Sequence, residues 1–176
     1  MKVLGLDSSL TSTGLALLDN GVPTLSNVYS SGSKTDTTLD LCHRIIGIRN
    51  KVMTRIPPDT HCVVMEGVAN FNRGNELKLY WLWGELFKTI SIGLGVPVVV
   101  CPASTLKKFA TDNGAAKKLD VAVRVSRMWP DVDVNGDDQA DALALATAAA
   151  VRYREPVPFT VLERHRLAIA KMEWPT

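Results

Sequence analysis

The alternation of apolar and polar positions predicts five strands. Apolar runs that end at turn residues place them at residues 2–7, 13–18, 22–31, 61–66 and 96–101. The dipeptide Asn20-Gly21 favours a tight hairpin, so the first three strands are expected to form an antiparallel meander. The fifth run, VPVVVC, is continuous enough to predict a strand that is buried on both faces.

Apolar residues at helical spacing predict the helices that connect and follow these strands. They are expected at residues 37–55, 75–94, 103–110, 117–129 and 138–153, with a short helix or partly ordered tail at 161–172. Three antiparallel strands followed by alternating helices and strands are typical of an α/β fold with a mixed sheet.

The second predicted helix is apolar on more than one side. Leu82, Leu86 and Ile90 form one stripe, whereas Trp81 and Trp83 lie outside it. One stripe is enough to pack a helix against a sheet. The extra aromatic residues indicate either a helix buried on several sides or a contact within a symmetric dimer.

Length and composition indicate one globular domain. The chain has 176 residues, of which 46% are apolar and 22% are charged. We place an α/β domain at residues 1–155 and a C-terminal extension at 156–176. The sequence shows no secretory signal and no membrane-spanning run, so no membrane partner and a cytoplasmic location are expected. The three scattered cysteines form no metal-binding spacing and are expected to be reduced.

Four carboxylates occupy positions where burial is expected. Asp7 ends the first predicted strand and Glu66 ends the fourth. Asp138 and Asp141 lie one turn apart at the start of an alanine-rich helix, which Asp137 is expected to cap. If the two strands are parallel neighbours, their acids meet at the carboxyl edge of the sheet, where ligands usually bind. Buried acids are costly unless they are paired or bind a cation.

The chemistry of these acids points to a divalent metal ion. Asp7 alone could be a turn or cap residue, and Asp138 and Asp141 alone could complement the helix dipole. All four together, in the order strand, strand, helix, are much harder to explain in that way. Mg²⁺ and Mn²⁺ prefer carboxylate oxygens and water, and two such ions about 4 Å apart can promote phosphodiester hydrolysis. No Ser–His–Asp arrangement competes with this interpretation.

Basic residues are expected to surround the acids. The net charge is only +2, but setting the four acids aside leaves 14 of the 18 acidic residues against 20 lysines and arginines. Lys107, Lys108, Lys117 and Lys118 flank a flexible turn and are candidates for binding DNA phosphates. The alternative is an ordinary solvated helix face.

The polar loop after Glu66 contains two further candidates. Phe71 could stack on an unpaired base, and Arg73 follows it closely in the chain. The alternative is an aromatic ring that folds back onto the core.

Several motifs together resemble the RuvC-type Holliday junction resolvases, which are RNase H-like nucleases. Gly5-Leu6-Asp7 followed by Thr13-Gly14 resembles the opening of that family, and Glu66 matches its second acid. DQADALALA, which starts at Asp138, resembles the closing D-x-A-D-A-L-x-[LI]-A helix. Residues 102–118 resemble the intervening P-x-x-[VL]-K-x…T-G-x-G-x-A-x-K block.

The resemblance covers about residues 1–152 and implies a fold and an activity. The fold is a five-stranded mixed sheet flanked by helices. The activity is a metal-dependent, structure-selective DNA endonuclease that nicks Holliday junctions, with other branched DNA as a wider substrate set. The family also implies a homodimer and two ions per active site, with Mg²⁺ as the metal and Mn²⁺ as a substitute.

The resemblance also assigns roles to individual residues. The four acids are the implied catalytic metal ligands: Asp7, Glu66, Asp138 and Asp141. Lys107 and Lys118 match positions that contact DNA phosphate near the cut, and Phe71 resembles an aromatic residue at the junction core. The chain departs from the pattern where Ser8-Ser9 replaces Pro-Gly and Asp112 replaces Gly. These departures concern the geometry of the first loop and the cleavage-sequence preference more than the chemistry.

Other classes remain open from the sequence. An RNase H-like enzyme that processes RNA is the nearest alternative within nucleases. The Asp-Ser-Ser…Thr-Gly opening also resembles the phosphate loop of acetate and sugar kinase-like folds, although 176 residues leave little room for a second lobe. A non-catalytic nucleic-acid binder of the same fold would not need four intact acids.

Overall fold

A five-stranded mixed sheet forms the centre of the protein. The computed structural model describes residues 1–68 and 74–175. The strands are β1 (Lys2–Asp7), β2 (Ser12–Asp19), β3 (Val22–Tyr29), β4 (Thr60–Glu66) and β5 (Val98–Cys101). Their order is β3-β2-β1-β4-β5, with antiparallel pairing from β1 to β3 and parallel pairing of β1 with β4 and of β4 with β5. This topology confirms the predicted fold class.

Within residues 1–68 and 74–175, six α-helices flank the sheet. They are α1 (Thr38–Met53), α2 (Gly74–Lys88), α3 (Ala103–Thr111), α4 (Lys118–Met128), α5 (Asp137–Tyr153) and α6 (Glu163–Ile169). Helix α2 continues into one π-helical turn at Thr89–Gly93. Among the described residues, we find no helix with the length and apolarity needed to cross a bilayer.

The two faces of the sheet carry separate cores. Leu4 and Leu6 of β1 point to one face, where they pack with the buried residues of α1 and α2. Val3 points to the other face, where α3, α4, α5 and α6 contribute to the core. This alternation follows from the two-residue period of a strand. Helix α5 is buried from Gln139 to Val151, which explains why its apolar pattern has no polar stripe.

Two glycines allow α5 to lie directly on the sheet. A Cβ atom on Gly5 of β1 would come within 1.9 Å of the Ala142 carbonyl oxygen. A Cβ atom on Gly14 of β2 would come within 2.1 Å of the Asp138 carbonyl oxygen. Since both contacts involve backbone atoms, any side chain at these positions would push the helix away. The distance between α5 and the sheet is therefore set by these glycines.

The hairpin prediction is confirmed in detail. Asn20 and Gly21 have φ values of 50° and 82°, as a two-residue turn between antiparallel strands requires. Helix α1 also begins as its sequence suggests, because Thr37 and Asp40 form a reciprocal capping box.

Two local predictions are wrong. Strand β5 is an edge strand, and Val100 is 38% exposed because its side chain lines an open groove with Phe87. Asp137 does not cap α5. Gly136 occupies the N-cap position with φ 86°, a conformation that favours glycine, and Asp137 is the first residue of the helix.

The C-terminal segment packs onto the same core as the helices before it. The expected short helix forms as α6, which contacts α3 and α5. Ile169 and Met172 are buried in that contact. His165 is also buried, and its Nδ1 accepts a hydrogen bond from the Leu162 backbone N–H at 3.0 Å.

We predict that Gly5→Ala lowers the free energy of unfolding by roughly 2 kcal/mol or more, because the added Cβ must displace the α5 backbone. Gly47→Ala is the matched control. Gly47 lies within α1 and a Cβ there would meet no atom within 4 Å, so this variant should gain about 0.5–1 kcal/mol. Urea denaturation of both variants checks this. Equal stability of the two would contradict the close approach of α5.

Candidate active site

The carboxyl ends of β1 and β4 place two acids side by side. Leu6 and Met65 are paired across the parallel strands, so Asp7 and Glu66 are the next residue on each strand. The pleat directs both side chains to the α5 side of the sheet, the side on which Val3 and Val64 are buried. The two strands are parallel neighbours, so the condition under which their acids meet is fulfilled.

Helix α5 adds the other two acids. Its first turns pass over β1 and β2, and the Asp138 carbonyl lies against Gly14. Asp141 is one turn further along the same face. Asp7 and Asp141 are only 8% and 7% exposed, whereas Glu66 and Asp138 are half-buried. The structure thus gathers all four predicted acids at one end of the sheet.

Burial and mutual repulsion raise the pKa of Asp7, Glu66 and Asp141. Burial, followed by the charges of Glu66 and Asp141, raises the pKa of Asp7 to about 8. Burial is also the largest cause that raises the pKa of Glu66 and of Asp141. Asp7 has no hydrogen-bond or ion-pair partner among the described residues. Such groups are unstable as anions until a positive charge arrives.

Among the described residues, Lys118 is the only cation in ion-pair range of any of the four acids. Its Nζ lies 3.8 Å from Asp141 Oδ2 and 3.6 Å from Asp137 Oδ2. Desolvation lowers the pKa of Lys118, but the surrounding carboxylates outweigh it and raise that pKa overall. Since its side chain is 64% exposed, Lys118 can also meet a ligand at the mouth of the site.

The four predicted lysines are divided between two environments. Lys107 on α3 acts on the acids as well, because its charge lowers the pKa of Glu66 and of Asp141. Lys108 and Lys117 are exposed and do not contribute to the shifted pKa values of these acids. The structure therefore brings Lys107 and Lys118 to the acids and leaves the other two at the periphery.

The donor set fits a hard divalent cation. Carboxylate oxygens are the ligands that Mg²⁺ and Mn²⁺ prefer, and four carboxyl groups lie close enough to act on one another electrostatically. Within residues 1–68 and 74–175, however, no three acidic, histidine or cysteine side chains already form a metal-binding group. The carboxylates would need to turn toward a cation, as expected of like charges that repel in its absence.

Polar contacts hold the segments that carry the acids. The loop after Asp7 is closed by Thr13, whose Oγ1 donates to the Ser9 carbonyl at 2.7 Å and accepts from the Ser9 N–H at 3.2 Å. The indole of Trp83 donates from Nε1 to the Glu66 carbonyl oxygen at 2.9 Å. The Ser8-Ser9 loop thus has a defined geometry despite its departure from the family pattern.

Gln139 is a positioning residue that the sequence reasoning missed. Its Oε1 accepts from the Asn135 N–H at 2.9 Å, and its Nε2 donates to Asn27 Oδ1 at 2.5 Å. Asn27 in turn donates to Ser12 Oγ at 2.9 Å. This chain ties the start of α5 to β2 and β3. The signal in the sequence for this role was the amide side chain between Asp138 and Asp141, which the structure shows to be buried.

Two predicted DNA contacts, Phe71 and Arg73, lie outside the described residues. Their roles stay predictions.

Fold and site together place the chain in the class of RNase H-like nucleases. A family model described as "Crossover junction endodeoxyribonuclease RuvC" matches residues 3–149, and the chain belongs to that family. It is therefore an endodeoxyribonuclease. The RuvC family consists of metal-dependent nucleases, in agreement with the donor set found here.

Relatives described as crossover junction endodeoxyribonuclease RuvC match most of the chain. The Zymomonas mobilis protein is 32% identical over 154 residues, covering 85% of this chain and 90% of that protein. The Delftia acidovorans protein is 31% identical over 180 residues, covering 97% of each.

Two solved structures of Thermus thermophilus RuvC share the fold. One has a TM-score of 0.65 and 24% identity, covering 90% of this chain and 100% of that chain. The other, described as a complex with Holliday junction substrate, has a TM-score of 0.66 and 21% identity, covering 89% and 98%.

We predict that Asp7→Asn stabilises the metal-free protein above neutral pH. The folded-state pKa of Asp7 is raised from 3.8 to about 8, so the folded protein holds a proton that the unfolded chain releases above about pH 4. Stability of the unmodified protein should therefore fall as the pH rises from about 4 to about 8. Asparagine removes this loss, which is worth roughly 2–5 kcal/mol at pH 8.

Thermal unfolding in EDTA between pH 5 and pH 9 measures this effect. The exposed carboxylate of Asp131 provides the control, and Asp131→Asn should follow the unmodified protein across the range. Parallel curves for Asp7→Asn and the unmodified protein would show that Asp7 is not held in a repulsive cluster.

Proposed function

We propose that this protein nicks Holliday junctions by metal-dependent hydrolysis of phosphodiester bonds. The proposal rests on one observation. Four acids meet at the carboxyl edge of the sheet with too little positive charge beside them to neutralise them. Membership of the RuvC family supports the substrate, because its members are described as crossover junction endodeoxyribonucleases. The Thermus thermophilus structure is described with that substrate bound.

Asp7, Glu66, Asp138 and Asp141 are the proposed ligands of two Mg²⁺ ions, for which Mn²⁺ can substitute. Bound there, such ions activate a water molecule and stabilise the leaving oxygen of the phosphodiester. The protein contributes the position of the acids. Gly5 sets the distance of α5 from β1, and the Gln139 network ties the start of α5 to β2 and β3. Trp83 holds the end of β4.

The lysines are proposed to bind the DNA backbone beside the acids. Lys118 and Lys107 lie close enough to act on the carboxylates electrostatically, so a phosphate between them and the metal would meet positive charge on two sides. Lys108 and Lys117 are exposed and would contact phosphates farther from the cut. Phe71 remains a proposed contact at the junction core, and Arg73 remains a further proposed DNA contact.

Helix α2 carries the proposed homodimer contact. Leu82 and Leu86 are fully buried, which confirms a core-facing stripe. Leu77 and Trp81, four residues apart on the same outward face, are 62% and 40% exposed. A second copy packed on this face would bury both side chains. A two-fold dimer would also place two active sites on a four-way junction with matching symmetry.

We predict that Asp7→Asn abolishes cleavage and retains junction binding. The substitution removes a metal ligand, whereas binding depends mainly on lysine and arginine contacts to phosphate. Labelled four-way, three-way, flap and duplex DNAs, with a single-stranded RNA, are incubated with Mg²⁺, and binding is measured in parallel. Cleavage should fall by at least about 10³-fold at unchanged junction affinity.

Paired symmetric nicks in the four-way substrate would support the narrow proposal, and equal cutting of all branches would broaden the substrate. Cleavage of RNA alone would favour the RNA-processing alternative. Full nicking by Asp7→Asn in Mg²⁺ would overturn the assignment of the acids.

We predict that Trp81→Glu yields a monomer, because it places a charge in the centre of the proposed dimer contact. Aromatic residues at such centres often contribute about 2 kcal/mol or more to association. Leu39→Glu on α1 is the matched control, since Leu39 is also exposed and apolar. Analytical ultracentrifugation should show a dimer for the control and the unmodified protein. A dimer in all three proteins would exclude this face of α2.

A further inference from the structure

A second basic site lies at the far end of α5 from the acids. A cavity of about 460 Å³ is lined by Arg152 and Arg154, at the end of α5, and by Arg166 of α6. Its apolar wall includes Met172 and Trp174. We call it the arginine cavity. All three arginines follow residue 149, where the match to the family model ends.

The arginine cavity is separate from the carboxylate site. Asp138 and Arg152 are 14 residues apart on the same helix, which corresponds to roughly 21 Å along the helix axis. The lining of the cavity includes none of the four acids and none of the four lysines near them. A ligand bound there would therefore not be in contact with the site of cleavage.

The three guanidinium groups lack carboxylate partners. Within the described parts of the chain, no ion pair involves Arg152, Arg154 or Arg166, and Glu155 pairs with the N-terminal amine instead. Within the same described residues, the side chains of these three arginines make no hydrogen bond. Three like charges around one cavity repel each other until an anion with several acceptor oxygens neutralises them.

The wall of the cavity is held in place independently of any ligand. Trp174 donates from Nε1 to the Ile169 carbonyl oxygen at 3.1 Å, and its ring packs edge-on against Tyr153 with centroids 5.8 Å apart. Ile169 and Met172 are buried beneath it. This apolar wall is fixed, so only the exposed arginine side chains need to be ordered when an anion binds.

Phosphate is the anion whose chemistry fits best. The planar guanidinium fork matches phosphate oxygens in a bidentate manner, and arginine is weakly hydrated compared with lysine. We propose that the arginine cavity binds phosphate groups at a site separate from the active site. They come either from the backbone of a DNA substrate, which rests on the proposed function, or from a free phosphorylated molecule.

The simpler explanation is that these arginines only stabilise helix ends. Arg152 lies in the last turn of α5 and Arg166 in the last turn of α6, where positive charge favours the helix dipole. That role predicts a loss of thermal stability and no loss of ligand binding. The two explanations therefore differ in a measurable way.

The test replaces all three arginines with glutamine, which keeps much of the side-chain length and removes the charge. The matched control replaces Lys34, Lys51 and Arg55 with glutamine. These exposed residues lie within α1 or next to it in the chain, and α1 packs on the other face of the sheet. A third variant replaces the three cavity arginines with lysine, which keeps the charge and loses the fork. Circular dichroism and thermal unfolding establish that each variant is folded.

Two probes distinguish the sources of phosphate. Pyrophosphate binding is measured by calorimetry, and four-way junction binding is measured in EDTA at several salt concentrations. If the cavity holds DNA backbone, the glutamine variant should bind the junction about tenfold more weakly, and its salt slope should fall by about 2–3 units. If it holds a free phosphorylated ligand, only pyrophosphate binding should be lost. In both cases the control is unchanged and the lysine variant is intermediate.

Unchanged pyrophosphate and junction binding in the folded glutamine variant would overturn the proposal and leave the helix-end role. Failure of the proposed function would give a different experimental result. A protein that neither cuts nor binds junctions in any form would refute that function, while the pyrophosphate measurement would still decide the cavity.

Discussion

The close approach of α5 to the sheet is the constraint on which the rest of the structure depends. It exists because Gly5 and Gly14 leave room for the helix backbone against β1 and β2. The alanines of α5 then fill the space above the sheet without pushing the helix outward. Since Asp138 and Asp141 are part of that helix, the same packing brings them to the strand ends that carry Asp7 and Glu66.

This arrangement sets two physical effects against each other. Burial of the α5 side chains stabilises the fold, at roughly 25 cal/mol for each Å² of apolar surface removed from water. The same burial confines four acids that repel each other, and it raises the pKa of Asp7 to about 8. Lys118 offsets part of the repulsion from the edge of the site. A site that is unfavourable in the free protein is suited to a ligand that supplies positive charge.

Local patterns predicted most of the elements and the positions of the acids within them. The apolar runs placed Asp7 and Glu66 at strand ends, and Asn20-Gly21 placed the hairpin, because these signals depend on neighbours in the chain. The edge position of β5 and the exposure of Val100 could not be predicted, since a local run does not reveal strand order. The prediction that Asp137 caps α5 was wrong because the N-cap position has a positive φ, which favours glycine, and Gly136 occupies it.

The contacts that orient the site were the least predictable. Gln139 and Asn27 are 112 residues apart in the chain. Trp83 reaches the end of β4 from a helix whose aromatic residues suggested either burial or a dimer contact. Such pairs become visible only when the tertiary fold is known. The roles of the acids and lysines in cleavage stay predictions, although their placement now has a geometric basis.

The central claim is that the four acids form a binding site for divalent metal ions. Anomalous diffraction at the manganese edge, from crystals grown with Mn²⁺, tests it most directly. The account predicts two peaks, about 4 Å apart, bounded by the carboxylates of Asp7, Glu66, Asp138 and Asp141. A fully ordered site with no anomalous peak between these side chains, at a Mn²⁺ concentration that supports cleavage, would contradict it.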